Sequence, residues 1–592
     1  MAEKEEGFNW TKIGQYGLIA GICIIYVCLV GMVETFHERD VIEGYVSLGR
    51  SLIVVTAIGM GYFAALKMSE GNAGKALISG AVTGVVGGIV TAIMVLLIEP
   101  WGLREMFVNA SPALIEILTF AQESMATGLI WMIGAITILS VFGAALYILP
   151  ALIRRAVFVG LSAVLIIGML QELLEVILSR SDTTEPISDF LFGKTGLSIT
   201  GTLVIFVVFS LLNAFWSTQG DTVKTGVSNL PDTQRKALNW TFIAIGFVFV
   251  ITLPQLVGPY ISQILVLVGL FILMGLGLNI EIGLAGLLDL GFVGFYAIGA
   301  YMVALATTPT EIGLGGGESL ISFWIVIPFA VIVSSLSGIF LGIPVLRMRG
   351  DYLAIVTLGL AEIIRILVLS DFLRPILGGA QGILSIPKPS LSILTNIVGA
   401  LPAPIQNLYA FFLGDSGVVK DPGHFYYLIV IGCVVIAFIA GRLQNARIGR
   451  SWMAMREDED VAEAMGINLV ASKLLAFGIG AGFAGLSGAI FAAQVGSVFP
   501  HSFALLVSVN VVSLVIIGGV GSIPGVIVGA LVLVGLPELL REFAEFRLLI
   551  YGALLVVMML VKPEGLWPSE VTRREFREDD EEIEAIPAPA SR

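Results

Sequence analysis

The chain has 592 residues, a net charge of −13 and a mean hydropathy of +0.96, and only 13% of its residues are charged. That composition excludes an ordinary soluble domain, and the lack of a basic stripe excludes a nucleic-acid binder. Apolar runs of about 20 residues recur from end to end without alternation, so they read as transmembrane helices and the fold class as an all-α polytopic membrane protein.

The N-terminus, MAEKEEGFNWTK, is acidic. No small-residue cleavage site follows its first apolar run, which therefore reads as an uncleaved span. Sixteen spans are expected, at 13–33, 51–67, 76–98, 127–149, 156–178, 197–216, 240–258, 260–280, 284–306, 322–346, 352–369, 425–441, 472–494, 503–521, 524–540 and 547–561. The fourteenth and fifteenth meet at GGVGSIPG, where a broken or re-entrant helix is the alternative to two full spans.

The polar stretch 217–239 reads as a linker between a six-span region, 1–216, and ten later spans. The loop 371–424 is the longest, and its middle is apolar enough to lie on the membrane surface. Residues 570–584 carry eight acids against three arginines, so 563–592 reads as a solvated, disordered cytoplasmic tail. With the N-terminus inside, 21 of the 32 Lys and Arg residues fall on the cytoplasmic side. The positive-inside rule favours that orientation, with both termini cytoplasmic.

Cys23, Cys28 and Cys433 lie in spans and read as small core residues. The three histidines are far apart, so no metal site is expected. No catalytic set and no cofactor are expected either. Gly193-Lys194-Thr195 ends like a phosphate loop, but Ser188 occupies the place of that motif's first glycine.

Between two apolar spans stands REDEDVAEAMG, with Arg456, Glu457, Asp458, Glu459, Asp460 and Glu463. Arg450–Met465 contains neither Gly nor Pro, and Gly449 and Gly466 bracket it, so one helix is expected. Ala454, Val461 and Met465 form an apolar stripe beside an acidic face. Such a helix either docks on a soluble partner or is simply solvated.

Glycines cluster at 277–300, 478–496 and 518–530, where they permit close helix packing or a break beside a cavity. Gly283, Gly286, Gly518, Gly519 and Gly521 are candidate packing or hinge positions. Ionisable or polar residues within spans are costly and mark candidate path residues. These are Asp289, Glu362, Arg365, Asn510 and Ser513. Glu362 lies ten residues into its span, about 15 Å deep, and Arg365 at i+3 can pair with it. A structural ion pair is the plainer reading of those two.

Four segments resemble, in this order, the permease subunits of bacterial high-affinity branched-chain amino acid ABC importers. They are GLNIEIGLAGLLDLGFVGFYAIGAY, LRMRGDYLAIVTLGLAEIIRI, GRSWMAMREDEDVAEAMGINLVASKLLAFGIGAGFAGLSGAIFA and GGVGSIPGVIVGA. The likeness covers about 262–568 and makes 240–562 a ten-span permease core. It implies a cell-membrane transport subunit rather than an enzyme. It also implies a homologous second permease, two cytoplasmic ABC ATPases and an extracytoplasmic amino-acid-binding protein. In that family the cytoplasmic helix with an EAA-like element couples to the ATPases. Here the matching positions are Glu463, Ala464 and Gly466, within a coupling helix at 450–466. The loop turn usually reads Gly-Gly-Pro-x-Gly, whereas this chain has GGAQGI at 378–383. The rival readings are a urea or short-amide importer and a non-transporting membrane scaffold or sensor. Region 1–216 carries no recognised motif and is expected to be a packing or accessory module.

Overall fold

The computed structural model describes residues 10–69, 71–180, 184–228, 231–309, 321–345, 351–390, 402, 406, 418–539 and 546–569. The tail from 570, most of the apolar loop middle and the first nine residues lie outside the described residues. Among the described residues, twelve helices are long and apolar enough to cross a membrane, and three shorter apolar helices accompany them. Each of the sixteen expected stretches falls on one of these helices, two of them on the single stretch Ala244–Leu284. The chain is a multi-pass helical membrane protein.

The chain divides into two compact units, Met1–Ile245 and Gly246–Arg592. In the first, the apolar helices Trp10–Val30, Leu48–Met68, Ala73–Ile98 and Met125–Ile148 close on small residues. A Cβ on Gly61 would stand 2.0 Å from the Ser140 carbonyl oxygen, and one on Gly143 would stand 2.1 Å from that of Ile58. Lipid offers helices no hydrophobic reason to associate, so close backbone packing of this kind holds them together. Ser140 Oγ donates to the Gly80 carbonyl at 2.8 Å and adds a polar tie in the same seam. Two short antiparallel strands, Asp40–Ile42 and Val46–Ser47, close one end. There the Leu197 amide donates to the Val41 carbonyl at 3.1 Å.

The polar stretch 217–239 is more helical than a linker suggests. Helix Ile199–Ser228 runs on through half of it, and the next helix begins at Asp232 after Pro231. Gly220 and Gly226 each cost a helix only about 1 kcal/mol, too little to end it.

Helix Asp232–Leu278, which belongs to the second unit from Gly246 onward, is interrupted at Gly258 (φ 83°, ψ 178°), next to Pro259, and so supplies two of the expected spans. The span expected at 284–306 becomes helical only at Val293. Before it, Asn279–Leu284 is wound as a π-helix and 285–292 is irregular. Such breaks persist at membrane depth only where protein covers them. Here the cover is helix Leu469–Val495, most of which is buried. Its Gly488 admits the Tyr296 carbonyl, which would be 1.9 Å from a Cβ at that position. Helices Leu505–Gly518 and Ile523–Ala530 fold back on each other, with Gly518 against Gly525 and Gly529 against the Leu514 carbonyl. The GGVGSIPG segment is therefore the tip of a tight helical hairpin.

Candidate functional site

The acidic stretch forms two helices rather than one, Arg447–Glu457 and Glu459–Ala464. Asp458 separates them in extended conformation (φ −155°, ψ 112°), and its Oδ1 accepts a hydrogen bond from the Val461 amide at 3.0 Å. One continuous helix would leave the cap unused. Breaking at Asp458 gives the second helix an acidic cap, with Glu459 and Asp460 in the first turn. Carboxylates are favourable at that end of the helix dipole. Gly466, at φ 88°, takes the left-handed conformation that ends this helix, and its amide donates to the Glu463 carbonyl at 2.9 Å.

The helix pair is fastened to the membrane body at three points. Trp452 is fully buried and donates from Nε1 to the Ser472 carbonyl at 2.8 Å. The buried Lys473 ammonium meets Glu459 Oε1 at 2.6 Å. Arg456 Nη1 donates to the Gly283 carbonyl inside the π-helix at 2.9 Å. Arg456 and Glu459 thus point inward, whereas Glu457, Asp458, Asp460, Glu463 and Ala464 are exposed. The expected apolar stripe also faces outward, with Val461 at 58% and Met465 at 80% exposure and Ala454 exposed.

Above Arg456 the chain is packed backbone to backbone. Gly286 (φ 69°) lies against the Arg456 side chain, and Gly283 lies against the backbone of Gly521. Asn279 Oδ1 accepts from the Gly521 amide at 2.8 Å, and Gln444 Nε2 donates to the Gly521 carbonyl at 3.3 Å. Gly519 (φ 120°) and Gly521 (φ 79°) form the hairpin tip, and the Trp567 amide donates to the Gly518 carbonyl at 2.9 Å. The five glycines singled out by sequence therefore meet around one junction beneath the broken helix.

Two buried acids lie at that break. Asp289, which sequence picked out, accepts from the Gly291 amide through Oδ1 at 2.6 Å. Glu281, which sequence missed, touches the Asp289 carboxyl. Both are fully buried, and no N–H or hydroxyl reaches either Glu281 oxygen or Asp289 Oδ2. Gly480 makes room for Glu281, since a Cβ there would be 1.9 Å from its Oε1. Glu281 escaped notice because it fell in the expected gap between spans 260–280 and 284–306, which the π-helix fills. Ser508 was missed too; its Oγ accepts from the Val293 amide at 3.0 Å and caps the resumed helix. A small cleft beside Asp289 is lined by Gly291, Phe295, Thr357, Ala361 and Ile364.

The other candidates do not join this cluster. Glu362 and Arg365 form a forked pair, with Nε at 3.0 and 2.9 Å from the two carboxylate oxygens. Both side chains are partly exposed, and neither lines the cleft beside Asp289. Ser513 is buried and Asn510 half-buried in helix Leu505–Gly518. GGAQGI forms a real turn, with Gly378, Gly379 and Gly382 all at positive φ, and it leads into a strand paired with Ser497–Val498.

Residues 260–561 match the family model described as the permease component of branched-chain amino acid transport systems. Two curated relatives are high-affinity branched-chain amino acid transport system permease proteins LivM, from Salmonella typhimurium and from Escherichia coli K12. Each is 41% identical over 331 residues, which is 55% of this chain and 74% of the relative. The high-affinity branched-chain amino acid transport system permease protein LivH from Escherichia coli K12 is 32% identical over 127 residues, 21% of this chain and 41% of LivH. No solved structure matches.

Proposed function

The chain belongs to the family of permease components of branched-chain amino acid transport systems, and on that premise we propose that it is the membrane subunit of an ABC importer for aliphatic amino acids. It works beside a second, homologous permease, a pairing supported by its similarity to both LivM and LivH. Two ABC ATPases dock on the cytoplasmic helix pair 447–464, and an extracytoplasmic binding protein delivers the substrate. Both termini are cytoplasmic in this arrangement.

One observation carries the reading: the acidic helix pair is exposed on its apolar stripe and clamped on its other side. Glu459–Lys473 ties it to the central helix Leu469–Val495, and Arg456–Gly283 ties it to the π-helix. Force applied at Val461 and Met465 therefore reaches the broken segment 285–292 through rigid attachments. Nucleotide drives the change only because the ATP-bound ATPases bind one conformation of the permease better than the other. An apolar path with few polar anchors suits a zwitterion with an aliphatic side chain.

The test pairs gentle purification of the native complex with uptake of labelled leucine into cells. Recovery of two ATPases and a second permease is expected, as is competition by isoleucine and valine. Competition by urea instead would replace the substrate class. Repeated recovery of the intact chain alone would favour a scaffold.

A further inference from the structure

The first unit holds a cavity of about 370 Å³ among the helices Leu48–Met68, Pro112–Leu118 and Met125–Ile148. Its walls are apolar, with Ile53, Ile117, Met132, Ile136 and Leu139 among them. The volume falls within the range that holds a drug-sized molecule or a stretch of acyl chain. A single cation enters it, Arg50, at the end of the cavity near Tyr45 and Phe120.

Arg50 is an unusual neighbour for such walls. Its Nε is buried with no hydrogen-bond partner. Among the described residues no carboxylate pairs with its guanidinium. Its ring contact is Phe120, whose centroid lies 5.2 Å from Cζ. Phe120 and the following Ala121 hold positive φ angles of 57° and 54°, a conformation costly for both residues. That strained corner places the ring against the guanidinium. A planar cation left without an anion in apolar surroundings is costly, and a guanidinium best matches a carboxylate or phosphate.

We propose that this cavity binds an anionic membrane phospholipid, with the head-group phosphate on Arg50 and part of an acyl chain against Ile53, Met132 and Ile136. One wall residue, Ile138, is 70% exposed, on the helix that also exposes Ile130 and Trp131. That wall of the cavity therefore faces the acyl layer. An amino acid does not fit, because no carboxylate in the wall accepts its ammonium.

The full-length protein is reconstituted in nanodiscs of phosphatidylcholine alone or mixed with phosphatidylglycerol. Lipid retained after release is then read by native mass spectrometry. Retention of one phosphatidylglycerol in preference to phosphatidylcholine is expected. Arg50→Gln reduces that preference about tenfold, the loss of a charge-assisted hydrogen bond. Ile136→Trp fills the cavity and removes retention of the lipid, with an unchanged melting profile showing that the helices still assemble. Equal phosphatidylglycerol retention by wild type and Arg50→Gln overturns the proposal, as does equal retention of the two lipids by wild type. Arg50-dependent binding of oleate without binding of phosphatidylglycerol also overturns it, in favour of a free fatty acid.

Discussion

The two units bury polar groups in opposite ways. Within the long helices of Met1–Ile245 they are scattered as single hydroxyl-to-carbonyl ties, such as Ser79 to Ala76, Thr91 to Gly87 and Ser140 to Gly80. In Gly246–Arg592 they gather where helices break. Asn279, Glu281, Asp289 and Ser508 all lie at or against the stretch 279–293, and Arg456 reaches into it from the cytoplasmic helix pair. An unbroken helix satisfies its own backbone and needs no such company. A broken one frees amides and carbonyls at membrane depth, and polar side chains must take them up. We propose on this contrast that the moving part lies in the second unit and that the first serves packing and, through Arg50, lipid binding.

The most severe way to break this contrast is to cut the link between helix pair and break. Val461→Asp combined with Met465→Asp puts charge on the exposed apolar stripe. Each position is expected to act as an interface anchor worth about 2 kcal/mol or more, so ATPase recovery and leucine uptake should be lost together. The protein should remain in the membrane at its normal level. Undiminished uptake would return this helix pair to being a solvated face. Arg456→Ala spares the outer surface and removes the bond to Gly283. ATPases should still co-purify while uptake falls within the range of about 5–150-fold typical of a coupling energy between sites. Loss of ATPase recovery in this variant would make Arg456 a docking residue instead.

The buried acids allow a sharper cut, read as stability. Glu281→Gln places an amide donor beside the Asp289 carboxyl and should leave the melting temperature in detergent nearly unchanged. Glu281→Leu leaves the buried Asp289 carboxyl against an apolar side chain and should cost about 1–3 kcal/mol. If both variants melt like wild type, the pair contributes nothing and the polar cluster is smaller than described. If Gln is as damaging as Leu, Asp289 takes no hydrogen bond from position 281.

Much of this was readable from residues alone, and the exceptions have physical causes. Apolar runs named the spans because membrane helices are apolar all round. That same uniformity hides which face is which, so the Glu362–Arg365 pair was visible at i+3 but its outward direction was not. The helix break at Asp458 was missed because capping, which depends on one side chain and its φ and ψ, outweighed an uninterrupted helical composition. Glu281 was missed because a π-helix extends a span past the point where an α-helical count ends it. The glycines were legible as a set, since each lacks a side chain for a reason, but their meeting at Arg456 and Gly521 is a matter of tertiary packing.

The smallest expected effect belongs to the first unit and ties its chemistry to the cavity. His37 lies outside the spans, with Nδ1 at 3.1 Å from Ser47 Oγ. Burial lowers its pKa below the ordinary 6.5, and the charge of Arg50 lowers it further, against weaker opposing effects of Asp40, Glu116 and Glu38. The sign of the pH dependence follows. Above 6.5 the histidine is neutral in both folded and unfolded chains, and stability is unaffected. As pH falls below that value the unfolded chain takes up the proton first, so stability declines until the folded site is protonated as well. His37→Gln should flatten this part of the melting profile, and an unaltered slope would assign it to other groups. Arg50→Gln should raise the His37 titration by removing the nearby positive charge. An anionic head group seated on Arg50 should raise it in the same direction by neutralising that charge. Lipid-loaded wild type and lipid-free Arg50→Gln should therefore titrate alike at His37, and a wild-type titration indifferent to phosphatidylglycerol would mean that no anion reaches Arg50.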